Sequence, residues 1–92
     1  MIGVVAIYPE DRLAISGDSR SFTRPTAMGS TITFHFCPTC GSSLFWRPAS
    51  RPGMVGVAVG GFADPSLRAP KDAIWKDLRP SWLCLASEVQ DL

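Results

Sequence analysis

The 92 residues carry a net charge of +1, with 46% hydrophobic and 18% charged residues. That composition describes a single globular domain and argues against a disordered chain. With so little net charge and with arginines scattered along the chain, electrostatics gives no case for nucleic acid or a membrane surface as partner. No stretch approaches the ~20 apolar residues of a membrane span. The opening MIGVVAIYPEDR lacks the basic start and long apolar run of a secretory leader. Three cysteines form an odd set with no disulfide framework. A cytoplasmic protein with neither nucleic-acid nor membrane partner is therefore expected.

Glycine and proline punctuate the chain, eight of each, and long helical periodicity is missing. Residues 2–7 form a short apolar run with β-branched members and read as a buried strand. Residues 12–16 alternate, with Leu13 and Ile15 on one side, and stop at the turn pair Gly17-Asp18. Residues 21–24 predict a short strand ended by Pro25. The clearest strand is STITFHF, residues 30–36, with Ile32, Phe34 and Phe36 facing one way and Thr31, Thr33 and His35 the other. SLFWR, residues 43–47, returns as a strand and ends at Pro48. GMVGVAV, residues 53–59, is a strand with small residues on one side, broken by Gly60-Gly61. Asp64-Pro65 opens a turn with one helical turn at 66–68. Residues 72–75 and 81–85 predict two more strands, separated by Arg79-Pro80. About seven short antiparallel strands, spaced near ten residues apart, make an all-β single domain over residues 1–92.

Chemistry concentrates in Cys37-Pro38-Thr39-Cys40-Gly41, in the turn between two of these strands. Two intervening residues let both sulfurs reach one metal at roughly 2.3 Å. A tight turn also aims backbone N–H groups at the sulfurs, and Gly41 suits a turn exit that needs positive φ. The alternatives are a redox dithiol and two ordinary structural thiols. A thioredoxin-like motif, however, opens a helix, whereas a turn and a strand follow here. A tetrahedral site needs four ligands. His35, two residues before Cys37, and Cys84, in the apolar stretch 82–85, are the candidates within the chain. Their plainer readings are a solvated strand histidine and a small core thiol. A second chain donating its own cysteine pair would instead give a four-cysteine site across a dimer. The plainer reading of Trp46, Trp75 and Trp82 is core, and that of Gly60-Gly61 is a turn.

Residues 7–85 resemble the later part of the glutathione-dependent formaldehyde-activating enzyme (GFA) family. The resemblance rests on Phe36-Cys37-Pro38-Thr39-Cys40-Gly41-Ser42 leading into Leu44-Phe45-Trp46, then on the strand that ends at Gly60-Gly61-Phe62. Asp64-Pro65, Ile74-Trp75 and Arg79-Pro80-Ser81-Trp82-Leu83 follow in order. It implies a small β-tent fold and two zinc ions. One zinc is structural, held by an N-terminal CxC together with the later CxxC. The other is held by a CxCxxC segment and serves the condensation of formaldehyde with the glutathione thiol to S-hydroxymethylglutathione, a carbon–sulfur lyase chemistry. By this resemblance Cys37 and Cys40 are ligands of the structural zinc, and Arg47 or Arg79 is a candidate to meet a glutathione carboxylate. The 92 residues contain neither CxC nor CxCxxC. The domain is therefore expected to be N-terminally incomplete, to lack the catalytic zinc site and to be inactive alone. The other readings are a zinc-stabilised structural or interaction module, dimeric through a shared four-cysteine site, and a thiol redox protein using Cys37 and Cys40.

Overall fold

The computed structural model describes residues 3–92. Alternation of apolar and polar residues, cut at intervals by proline and glycine, gives five strands: β1 (Val5–Pro9), β2 (Arg20–Pro25), β3 (Thr31–Phe36), β4 (Ser43–Pro48) and β5 (Met54–Ala58). They form one antiparallel sheet in the order β1-β5-β4-β3-β2. Strands β2 to β5 are joined as successive hairpins, and β1 adds to the far side of β5.

Because side chains alternate across a sheet, the register assigns each residue to a face. Ile7, Gly56, Trp46, Phe34 and Phe22 pair directly across the five strands, making a continuous apolar row on one face. The opposite face carries Ala6, Val57, Phe45, His35 and Ser21 in the next row. On that second face lies Val55, the one fully buried hydrophobic side chain among the described residues, with Tyr8 across from it. On the first face Trp46 and Phe34 pack at 5.9 Å between ring centroids. Trp46 also lies over Gly56, where an added Cβ would sit 2.7 Å from indole Cε2.

Proline ends three of these strands, each for a reason set by hydrogen bonding. The Glu10 N–H donates to the Gly53 carbonyl at 2.8 Å, and the Val59 N–H to the Val4 carbonyl at 3.1 Å. Alternation between these two bonds turns the backbone groups of Val5, Ile7 and Pro9 toward the free edge. The Thr26 N–H donates to the Ser30 carbonyl at 2.8 Å, which by the same parity turns Pro25 outward from β2. Both edge prolines therefore sit where no ladder hydrogen bond is lost. Pro48 faces β5 without an N–H to offer, and the β4–β5 pairing ends at Trp46–Gly56.

The structure departs from the sequence expectations in several places. The first strand starts at Val5, and residues 1–2 of the expected 2–7 element lie outside the described residues. Residues 12–16 are not a strand: a 3-10 turn at Glu10–Arg12 precedes an extended segment with no ladder partner. At 66–68 there is no helical turn; the Asp64 carboxylate instead accepts from the Ser66 N–H at 2.9 Å and the Ser66 hydroxyl at 2.7 Å. The expected strand at 72–75 shrinks to β6 (Asp72–Ala73), which pairs with β7 (Gln90–Asp91). That pairing is parallel, unlike the all-antiparallel expectation. Residues 81–85 are not a strand: 81–82 lie in a turn, closed by the Leu83 N–H donating to the Pro80 carbonyl at 3.0 Å, and 83–85 have no ladder partner. Trp75 and Trp82 are exposed rather than core, at 56% and 68%. No helix among the described residues is long and apolar enough to cross a membrane.

Candidate functional site

The cysteine pair occupies the six-residue connection from β3 to β4 (residues 37–42). The turn is closed by its own backbone: the Cys37 N–H donates to the Ser42 carbonyl and the Gly41 N–H to the Cys37 carbonyl, both at 2.9 Å. Gly41 leaves the turn at φ 78°, in the left-handed region where a glycine carries no Cβ penalty. This tightness brings donors to the sulfurs. The Thr39 N–H points at Cys37 Sγ at 3.4 Å, and Cys40 Sγ lies 3.2 Å from Ser42 Oγ. The Ser42 hydroxyl, then the Ser42 N–H and the Cys37 thiol, hold the Cys40 thiol below its ordinary value of 9.0. Both cysteines are free; Cys37 is half-buried and Cys40 exposed.

Such a turn suits thiolate: the Thr39 N–H stands at Cys37 Sγ, the Ser42 hydroxyl that accepts from the Cys40 thiol can rotate to donate to its thiolate, and the two thiols lie close enough to interact. Two thiolates are half of a tetrahedral thiolate site. Among the described residues, no group of three or more His, Cys, Asp or Glu gathers to hold a metal. The structure therefore brings Cys37 and Cys40 together and adds neither His35 nor Cys84 to them.

His35 is engaged elsewhere. Its ring stacks on Phe45 at 4.4 Å and 11°. Nε2 accepts from Arg47 Nη1 at 3.3 Å, which puts the ring proton on Nδ1, 3.2 Å from Ser19 Oγ. Burial, and then the Arg47 guanidinium, hold the ring below its ordinary value of 6.5. Arg47 itself donates to Glu10 Oε1 from Nε at 3.0 Å and Nη2 at 2.7 Å, and its guanidinium lies 5.2 Å from the Phe45 ring centre. Cys84 is an exposed thiol outside any strand. Arg79 Nη2 pairs with Asp91 Oδ2 at 2.9 Å. Both arginines singled out for a ligand carboxylate thus face carboxylates of their own chain.

The network of Glu10, Arg47, His35 and Phe45 is not apparent in the sequence. The alternation of SLFWRP does place Phe45 and Arg47 on one face, opposite His35 and Thr33 in the register. Glu10 joins them only because β1 docks on β5.

A small all-β domain carrying a CxxC turn at the tip of a central hairpin is the class these elements define. The family model described as glutathione-dependent formaldehyde-activating enzyme matches residues 1–77, and the chain belongs to that family. The match covers all five strands and the cysteine turn, and stops short of the Arg79-to-Leu83 stretch. No match was found among curated proteins or among solved structures.

Proposed function

We propose that this chain is a GFA-family metal-binding domain in which Cys37 and Cys40 supply two thiolates of a structural zinc site, and that these 92 residues alone do not form S-hydroxymethylglutathione. The observation that carries the reading is the β3–β4 turn, which holds both sulfurs at one tip with the Thr39 N–H at Cys37 Sγ and the Ser42 hydroxyl beside Cys40 Sγ. Zinc there supplies a tetrahedral cross-link that pins the turn. The remaining ligands come from outside the described residues, either from another segment of polypeptide or from the cysteine pair of a second copy. Exposure of Cys40 at the turn surface leaves room for that approach.

Metal analysis after dialysis against trace zinc tests the site. A pair of chains sharing a four-cysteine site binds about one zinc per two chains. That binding should disappear in Cys37→Ser and in Cys40→Ser and persist in Cys84→Ser and His35→Gln. Absence of bound metal overturns the shared four-cysteine site, and a site that needs His35 overturns the assignment of Cys37 and Cys40. For the reaction, formaldehyde and glutathione mixed with the zinc-treated chain should combine no faster than without protein. A zinc-dependent acceleration would refute the inactive reading.

A further inference from the structure

The sheet face opposite Val55 carries an apolar row that is open at both ends. The row Ile7, Gly56, Trp46, Phe34 and Phe22 crosses all five strands, yet its ends are open, with Ile7 49% and Phe22 63% exposed. In β1 the outer-row residues Val5, Ile7 and Pro9 are exposed while Ala6 and Tyr8 on the other face are half-buried. In the segment after β5, residues 67–71 lie beside β1, while Ile74, Leu78 and Trp82 stay exposed.

Two global quantities show that the chain as a whole is less compact than a monomer of its size, the segment after β5 included. The chain exposes 7318 Å², whereas a folded monomer of 9.9 kDa exposes about 5,200 Å², leaving a surplus of about 2,100 Å². Its radius of gyration is 14.3 Å, against about 12 Å for a compact domain of this length. A standard protein–protein interface removes about 800 Å² from each partner, so one such interface fits within the surplus.

We propose that a second copy of this chain covers this face, the two sheets packing face to face as a β-sandwich about 10 Å thick. The row is suited to self-pairing. A two-fold axis through Trp46 lays the Phe22 end of one copy over the Ile7 end of the other, so each open end covers its counterpart. Edge-to-edge pairing is disfavoured by the prolines, since Pro9 and Pro25 interrupt the outward hydrogen-bonding groups of both free edges. Face packing needs no such groups. The dimer does not rest on the zinc site, and metal removal separates the two.

Sedimentation velocity with EDTA-treated protein at micromolar concentration is the test. The expected result is a dimer that persists without metal. Phe22→Asp and Ile7→Asp, both at well-exposed positions, should weaken it by about 30-fold or more, the loss carried by a buried interface anchor. Their circular dichroism should remain that of the parent. Met28→Asp, in the β2–β3 turn and 81% exposed, should leave the dimer intact. A monomeric parent that unfolds cooperatively overturns the proposal. So does a dimer lost on EDTA treatment, or one indifferent to Phe22→Asp and Ile7→Asp.

Discussion

Gly56→Ala should destabilise the domain through one side chain, Trp46. The backbone at Gly56 is not in the left-handed region, so alanine meets no conformational penalty there. The obstacle is steric: the new Cβ would lie 2.7 Å from Trp46 Cε2 and 3.0 Å from Cδ1. Because the indole is rigid and already packed on Phe34, it has to swing off the sheet as a unit. Overpacking costs about 1–3 kcal/mol, and losing the Phe34–Trp46 pair adds about 0.5–1.5 kcal/mol. A total near 3 kcal/mol is a large part of the stability of a 92-residue domain, which is about 5–14 kcal/mol. At about 4–8 °C per kcal/mol, Tm should fall by roughly 12–24 °C. Urea and thermal unfolding of four proteins measure it: the parent, Gly56→Ala, Trp46→Leu and the double variant. Without the indole, Gly56→Ala should cost less than about 1 kcal/mol, giving a coupling of about 2 kcal/mol. If Gly56→Ala is neutral, or costs the same with and without the indole, the packing argument fails.

Three further outcomes follow from the geometry. Gly41→Ala should cost about 1–2 kcal/mol, from its positive φ alone, because nothing lies within 4 Å of the added Cβ; chemical unfolding checks it, and zinc retention should weaken in parallel. Glu10→Gln should cost under about 1 kcal/mol, since the Glu10–Arg47 pair is partly exposed, whereas Arg47→Ala should cost more because it also uncovers Phe45 and His35. For Asp64, the hydroxyl and then the N–H of Ser66 lower the carboxyl below its ordinary value of 3.8. Its contribution is therefore complete above pH 3.8 and lost as pH falls through the lower folded value. An NMR titration of the Asp64 carboxyl should show that lower midpoint, and Ser66→Ala should raise it.

Strands β2 to β5 were legible because each is an alternating run bounded by glycine or proline, and such runs pair with their sequence neighbours. The bounds expected at 30–36 and 43–47 differ from the observed Thr31–Phe36 and Ser43–Pro48 by one residue. Residues 12–16 and 81–85 also contain apolar residues suited to a strand, but a strand exists only where a ladder has room. The far side of β5 is taken by β1, and Pro80 turns the chain just before 81–85. Strand β7 could not be found: Gln90 and Asp91 carry no periodic signal, and the bonds that hold it run from the Gln90 N–H to the Lys71 carbonyl and from the Leu92 N–H to the Ala73 carbonyl, far back in the chain. The cysteine turn was fully legible because its chemistry lies within six consecutive residues. The rest of the network around His35 was not, since Ser19, which meets His35, and Glu10, which meets Arg47, reach that face only through tertiary structure.

The order of the strands sets a schedule for assembly. Strands β2 to β5 close through short turns, each joining residues near in sequence, so each hairpin costs little chain entropy. Pairing of β1 with β5 joins segments about 50 residues apart, and that closure is slow until the hairpins supply a surface to dock on. Of the five strands β1 leaves the ribosome first, yet its partner β5 is the last to appear. A ribosome-bound nascent chain therefore leaves Ala6 and Tyr8, which docking on β5 half-buries, uncovered throughout translation of the hairpins, which makes this short segment the natural handle for a chaperone.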